Sequence, residues 1–223
     1  MIKKVKIIKF DGGDFYNMDD YVAVEEIYNI FINGEFIKSF SLSPSFLHEF
    51  AVGFAISEGF LNRVEKVEFN KNNIYIFGEK KSKEIKTKKP KIDIETLRKI
   101  ISYEIKAKCW EITGCFHWAS LFDLKGNEVI FIEDVGRYNA VDKVIGYAIL
   151  NNYNLNELIL MYSGRIFYNI VKKAVNSGLN AIISKSPPTD KAINLAEDNN
   201  ILLIGFARDG KFNIYTSGRL WEK

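Results

Sequence analysis

The feature that most constrains this chain is a pair of unbroken apolar runs in its second half, Leu158-Ile159-Leu160-Met161 and Ile201-Leu202-Leu203-Ile204. A strand with one wet face alternates apolar and polar residues. A strand that is apolar at every position needs cover on both faces, which the helices of an α/β fold supply. The flanking sequence fits that demand. Strands are predicted at 158–162, 181–184 and 201–206, alternating with helices at 166–176 and 189–199. A last strand at 212–216 follows the Asp209-Gly210 turn in antiparallel sense. Upstream, Asp93 caps a helix predicted to run to 106, a hairpin joins 120–124 to 128–134, and a helix covers 138–150. The fold class read from this pattern is α/β, with a three-layer domain over 92–223.

The first half is β-rich. Residues 1–40 read as strands, with Asn33-Gly34 marking a hairpin turn. Ser43 and Pro44 read as the cap and first turn of a helix with Phe46, Leu47, Phe50, Phe54 and Ile56 on its apolar side, ending at Gly59. Strands near 64–69 and 74–77 complete a small domain over 1–78. A linker or large loop follows over 79–91, holding seven lysines against two glutamates. Such a segment is either a solvated loop or a docking surface for an acidic partner.

Composition removes several function classes. A net charge of +3 on 223 residues is too mild to indicate a nucleic-acid partner. Two cysteines, Cys109 and Cys115, make neither a disulfide framework nor a four-thiolate zinc site. No apolar run approaches the roughly 18 residues of a membrane span, and residues 1–6 alternate like a strand rather than forming the apolar block of a signal peptide. The expectation is a cytoplasmic protein with no membrane partner.

Open α/β sheets bind ligands where strands run into helices, and four such junctions carry small and polar residues. Thr113-Gly114-Cys115-Phe116-His117 sets a thiol two residues from a histidine, an arrangement in which an imidazolium lowers a thiol's pKa; the alternative is a small buried cysteine. Glu133-Asp134-Val135-Gly136-Arg137, continued by Asn139-Ala140-Val141-Asp142-Lys143, holds more polar groups than one helix cap requires. Its acids either orient Arg137 and Lys143 or receive hydrogen bonds from a ligand; the alternative is a hydrated helix start with internal ion pairs. Ser163-Gly164-Arg165 offers close backbone approach and a bidentate anion donor. Gly205-Phe206-Ala207-Arg208-Asp209-Gly210-Lys211 adds two cations to a tight turn. With Lys185, these junctions predict cations converging on one sheet edge, suited to a polyanionic small molecule such as a nucleotide. No phosphate-binding loop of the Walker type and no dinucleotide glycine fingerprint is present.

In this order, these segments resemble the FdhD/NarQ family, the formate dehydrogenase accessory sulfurtransferases. The likeness also takes in Val24-Glu25-Glu26, Ile32-Asn33-Gly34, Glu49-Phe50-Ala51-Val52-Gly53-Phe54, Ser57-Glu58-Gly59 and Ser186-Pro187-Pro188. It implies a cytidine-deaminase-like core and a homodimer. It further implies binding of the molybdenum or tungsten bis-pterin guanine dinucleotide, for which GDP is a surrogate ligand. The implied partners are a cysteine desulfurase, which supplies sulfur, and formate dehydrogenase, which receives the sulfurated cofactor. By position, the family's cofactor loop falls on Phe206, Ala207, Arg208, Asp209, Gly210 and Lys211. Arg137, Asn139, Asp142, Lys143, Ser163, Gly164 and Arg165 complete the expected cofactor site. Cys115 with His117 is the expected sulfur-handling pair on the thiol–histidine spacing, not on family position, since Cys115 falls where members often have glycine and Cys109 where they are usually apolar. One departure stands out. Family members carry a Cys-x-x-Cys loop where this chain has the cysteine-free 79–91 stretch. Three readings follow: Cys115 carries the sulfur, the protein binds the cofactor without carrying sulfur, or it assists assembly through another contact. A zinc deaminase is excluded by inventory, because His117-Trp118-Ala119 lacks the catalytic Glu and no Pro-Cys-x-x-Cys exists.

Overall fold

The computed structural model describes residues 1–82 and 92–216. Most of the lysine-rich segment, including Lys83, Lys86, Lys88, Lys89 and Lys91, therefore lies outside the described residues. Strands β1 (Ile2–Asp11) and β2 (Asp14–Ala23) form a two-stranded antiparallel hairpin. Strands β3 (Glu26–Ile32) and β4 (Glu35–Leu42) join at Asn33-Gly34, both at positive φ, as a tight hairpin turn requires. With β5 (Leu61–Asn70) and β6 (Asn73–Lys80) they make a four-stranded sheet of order β4-β3-β6-β5. Helix α1 (Leu47–Ser57) covers it, packing Phe50 and Phe54 onto Tyr28, Ile30, Ile74 and Ile76.

Ser43 does not cap α1. It is buried: its backbone N–H donates to Asp134, its hydroxyl accepts from the Val135 N–H, and its carbonyl accepts from Lys143. The helix starts at Leu47 instead, behind Phe46 at φ 51°.

The remaining elements are α2 (Ile94–Ile101), α3 (Lys108–Thr113), β7 (His117–Asp123), β8 (Glu128–Asp134), α4 (Arg137–Leu150), β9 (Leu158–Tyr162), α5 (Tyr168–Ser177), β10 (Ala181–Ser184), α6 (Asp190–Asp198), β11 (Leu202–Arg208) and β12 (Lys211–Ile214). Their strands form one six-stranded sheet, order β12-β11-β10-β9-β7-β8, in which β9, β10 and β11 are parallel. Alternate residues of the apolar runs face opposite layers. Leu158, Leu160, Ile182 and Leu203 join a core with α4, α5 and α6, whereas Ile159, Met161, Ile183 and Leu202 pack with α2. That is the physical content of the unbroken runs, and the result is a mixed α/β fold with a helix layer on each side of this sheet. None of the described helices is long and apolar enough to cross a membrane.

Among the boundaries that differ from the sequence reading, two have a clear cause. The helix capped by Asp93, whose carboxylate accepts from Thr96 N–H, ends at Ile101 rather than 106, and the chain re-enters helix at Lys108. Irregular backbone between the two lets Ile105 and Ala107 reach the α2-side core. Strand β7 begins at His117, three residues early, because His117 and Trp118 pair with Asp134 and Glu133 and extend the ladder.

Candidate functional site

Sheet topology decides which junctions meet. Because β7 runs antiparallel to β9 and β8 antiparallel to β7, the start of β7 and the end of β8 lie at the edge where β9, β10 and β11 end. That edge therefore gathers Cys115 to His117, Val135 to Arg137, Ser163 to Arg165, Lys185 and the turn from Arg208 to Lys211.

A cleft of about 380 Å³ opens there, lined by Trp110, Cys115, His117, Trp118, Ser163 and Lys185 among others. Ser163 Oγ accepts from Trp118 N–H and shares a hydrogen bond with His117 Nδ1, each at 3.1 Å. Lys185 Nζ stands 5.8 Å from the Trp118 ring centroid, within cation–π range. Burial, followed by the nearby Arg137 charge, pushes the His117 imidazole below its ordinary value, so at neutral pH it is uncharged. The ring's hydrogen bond runs to Ser163 rather than to Cys115. The Cys115 thiol is exposed. It also lines a second cleft of about 450 Å³, walled by Tyr21 and Val22 of β2, Ser41 of β4 and Gly136. Cys115 thus sits where the N-terminal strands face the rim of the larger sheet.

A third cleft, of about 460 Å³, lies at the starts of α4, α5 and α6, with Arg137, Tyr138, Phe167, Thr189, Asp190 and Lys191 in its wall. The Arg137 guanidinium lies 4.6 Å from the Tyr138 ring and 5.6 Å from Phe167, and Arg165 lies 5.0 Å from Phe167. Arg137 Nε is buried with no hydrogen-bond partner among the described residues, and Arg165 and Lys191 are further cations at this cleft. Gly164 packs closely there: a Cβ would come to 3.0 Å of the Arg137 side chain and the Tyr162 ring.

The FdhD/NarQ family profile matches residues 73–220. The chain belongs to the FdhD/NarQ family. It is 78% identical to protein FdhD of Methanocaldococcus jannaschii, with both chains covered in full. It is 36% identical to the sulfur carrier protein FdhD of Sulfolobus acidocaldarius, with 96% of each covered. Its fold matches, at TM-score 0.86 and 24% identity over 99% of both chains, a crystal structure of a putative formate dehydrogenase accessory protein from Desulfotalea psychrophila.

In this FdhD/NarQ chain, much of the polar signature expected at the cofactor site is turned inward. Lys143 is fully buried, with Nζ 2.5 Å from Asp134 Oδ2 and donating also to the Ser43 carbonyl. Asn139 is buried and donates to Asp134 and to the Ser41 carbonyl. Asp142, also buried, accepts from Lys173 and Ser57. Burial would lower the Lys173 pKa, but the Asp142 and Glu58 carboxylates outweigh it and hold the ammonium above its usual value. Glu133 accepts from the N–H groups of Cys109 and Trp110 and fixes the start of α3. These side chains tie α4 to the loop before α1, the end of α1, and α5. Asn139, Asp142 and Lys143, expected at the cofactor site, therefore lie in this seam with their polar groups paired, and Lys143 is not exposed among the edge cations.

The remaining expected residues divide. Ser163 lines the Cys115 cleft, Arg137 lines the α4 cleft, and Arg165 is exposed beside it. Gly164 is buried, its carbonyl accepting from Ser184 Oγ. Ala207 is fully buried in the α2-side core, so its side chain is not free for a ligand. Phe206, Arg208, Asp209, Gly210 and Lys211 form an exposed turn on the same edge, with Phe206, Asp209 and Gly210 at positive φ. None of these lines the three clefts above. Trp110 and Phe167 were not singled out by sequence. Their signal was slight: a tryptophan shortly before Thr113-Gly114 and a phenylalanine just after Arg165.

Proposed function

We propose that this chain is a cytoplasmic sulfur carrier in formate dehydrogenase maturation. On this reading it accepts sulfur on Cys115 from a cysteine desulfurase and delivers it to a molybdenum or tungsten bis-pterin guanine dinucleotide held at the same sheet edge. The observation that carries the reading is the exposed Cys115 thiol in a cleft that also holds Lys185, with the Arg137 cleft at the same sheet edge. The names of the relatives, a sulfur carrier among them, support the same class. Cys109 is the weaker candidate: burial, then the Glu133 carboxylate, push its thiol pKa up, leaving it protonated and a poor nucleophile. In the loading step the Cys115 thiolate attacks the terminal sulfur of the desulfurase persulfide. A new S–S bond forms at Cys115 as the old one breaks, and the desulfurase cysteine leaves as a thiolate, so no oxidant is consumed.

Incubation with a desulfurase and cysteine should add about 32 Da, one sulfur, to the intact protein. The adduct should persist in Cys109→Ser and disappear in Cys115→Ser. No adduct on either thiol would remove the carrier reading. A cargo-binding chaperone that handles no sulfur itself would then stand, the reading favoured by the cysteine-free 79–91 stretch and the neutral His117.

Cargo binding is tested with GDP, which carries the guanine and diphosphate. Arg137→Ala and Arg165→Ala should each weaken its binding by about 1.5–3 kcal/mol, the range for a hydrogen bond to a charged group. Arg208→Ala asks the same of the exposed turn. Titration curves unchanged in all three variants would leave the edge cations without a ligand role.

A further inference from the structure

The Cys115 cleft has more than a thiol. Trp110 stands in its wall 53% exposed, a large aromatic face turned to solvent, and among the described residues it stacks on no other ring. Its position is fixed from behind, because the Glu133 carboxylate holds the N–H groups of Cys109 and Trp110 at 2.9 and 2.8 Å. Across the same cleft lie the Ser163 hydroxyl, the neutral His117 ring and the Lys185 ammonium. An aromatic platform, a neutral hydrogen-bonding edge and one cation together suit a flat, polar heteroaromatic ring carrying a negative group. The volume, about 380 Å³, lies at the lower end of small-molecule sites and takes a ring system rather than a whole dinucleotide.

Pterin and guanine share the fused 2-amino-4-oxopyrimidine edge that such a cleft would recognise. Which of them occupies it is decided by Cys115. A sulfur-carrying thiol must meet the metal end of the cargo, and the metal is borne by the pterin's side chain. We infer that Trp110, Ser163, His117 and Lys185 form the pterin subsite, with Trp110 as its stacking platform, and that the guanylate end extends toward the Arg137 cleft. Val135 and Ser163 line the Cys115 cleft, and Arg137, two residues on from Val135 and packed against Gly164, lines the other, so the two clefts are neighbours. This inference rests on the sulfur-transfer reading for its choice of pterin over guanine.

The test uses the full chain carrying Cys109→Ser, so that Cys115 is the sole thiol. The readout is the rate of Cys115 alkylation by iodoacetamide, followed by intact mass, with pterin-6-carboxylate or GMP as the probe. Pterin-6-carboxylate at ten times its Kd should slow alkylation about tenfold by mass action, and GMP should not. Trp110→Ala should weaken pterin binding about 5- to 150-fold, the range seen when an aromatic platform under a base is removed. Trp110→Phe should restore most of it. Because Trp110 is exposed, the alanine variant should keep the wild-type circular dichroism spectrum. Lack of protection by pterin-6-carboxylate at saturating concentration, equal protection in Trp110→Ala, or protection by GMP alone would each overturn the assignment. Sulfur loading is read separately. A chain that takes up sulfur on Cys115 without pterin protection keeps the carrier role and loses this subsite. One that is protected but never loaded keeps the subsite and loses the carrier.

Discussion

Asp134→Ala should cost about 3–5 kcal/mol of folding stability, the range for removing one member of a buried ion pair, measured as a shift in the urea midpoint. Asp134 has no exposed surface and gathers four donors: Ser43 N–H, Gly136 N–H, Asn139 Nδ2 and Lys143 Nζ. The substitution takes an acceptor from all four and leaves the Ser43 and Gly136 N–H groups without one. Worse, it leaves the Lys143 ammonium buried with only the Ser43 carbonyl for company. A loss of that size is a large part of the 5–15 kcal/mol on the order of which most domains are stable.

The same variant makes a pH prediction. Burial already pushes Lys143 below its ordinary value of 10.5, with Asp134 opposing the shift. Without Asp134 the folded-state pKa falls further. Between that depressed value and 10.5 the unfolded chain holds the extra proton, so stability rises with pH across this window. The deficit of Asp134→Ala relative to wild type should therefore shrink as pH is raised. A loss below about 1 kcal/mol, within the range of an exposed pair, or a deficit that grows with pH, would show that the pair is not what holds the seam.

The second large effect lies where α1 crosses α4. A Cβ on Gly53 would overlap the backbone carbonyl of Asp142, and one on Gly146 would overlap the carbonyl of Glu49. The two helices touch backbone to backbone at these points, and neither glycine needs a positive φ. In an exposed helix, glycine to alanine gains about 1 kcal/mol. Here Gly53→Ala or Gly146→Ala should instead lose about 3 kcal/mol, the upper end for overpacking, because backbone rather than a mobile side chain is struck. The reversal of sign is the diagnostic. A variant more stable than wild type would mean the helices are free to move apart. Their separation would also pull Ser57 from Asp142 and shift the N-terminal strands that wall the cleft beside Cys115.

Much of the architecture was legible because its signals are local. Leu158 to Met161 and Ile201 to Ile204 are apolar at every position, and Asn33-Gly34 supplies the positive φ values of a tight hairpin. Asp93 and Thr189 cap the helices that they were expected to cap or begin. The site was less legible. Asp134, Asn139, Asp142 and Lys143 look like ligand contacts in a one-dimensional reading, since a charged residue at a helix start is ordinarily solvated. Their partners are distant: Ser43 is 100 residues from Lys143, and Lys173 is 31 from Asp142. Pairing at such separations leaves no periodicity to detect. Likewise, whether His117 activates Cys115 depends on its burial and on Arg137, neither of which spacing reveals.

By itself, then, the order of residues determined which segments become strands and helices, that the later strands are covered on both faces, and which junctions end at a sheet edge. Those outcomes follow from side-chain periodicity and turn chemistry within a few residues. Only the packed chain decided which polar groups face inward as a seam and which remain open to a ligand. A charge's role is set by the dielectric around it and by the groups opposite, and both come into being only when α1, α4 and α5 close on one another.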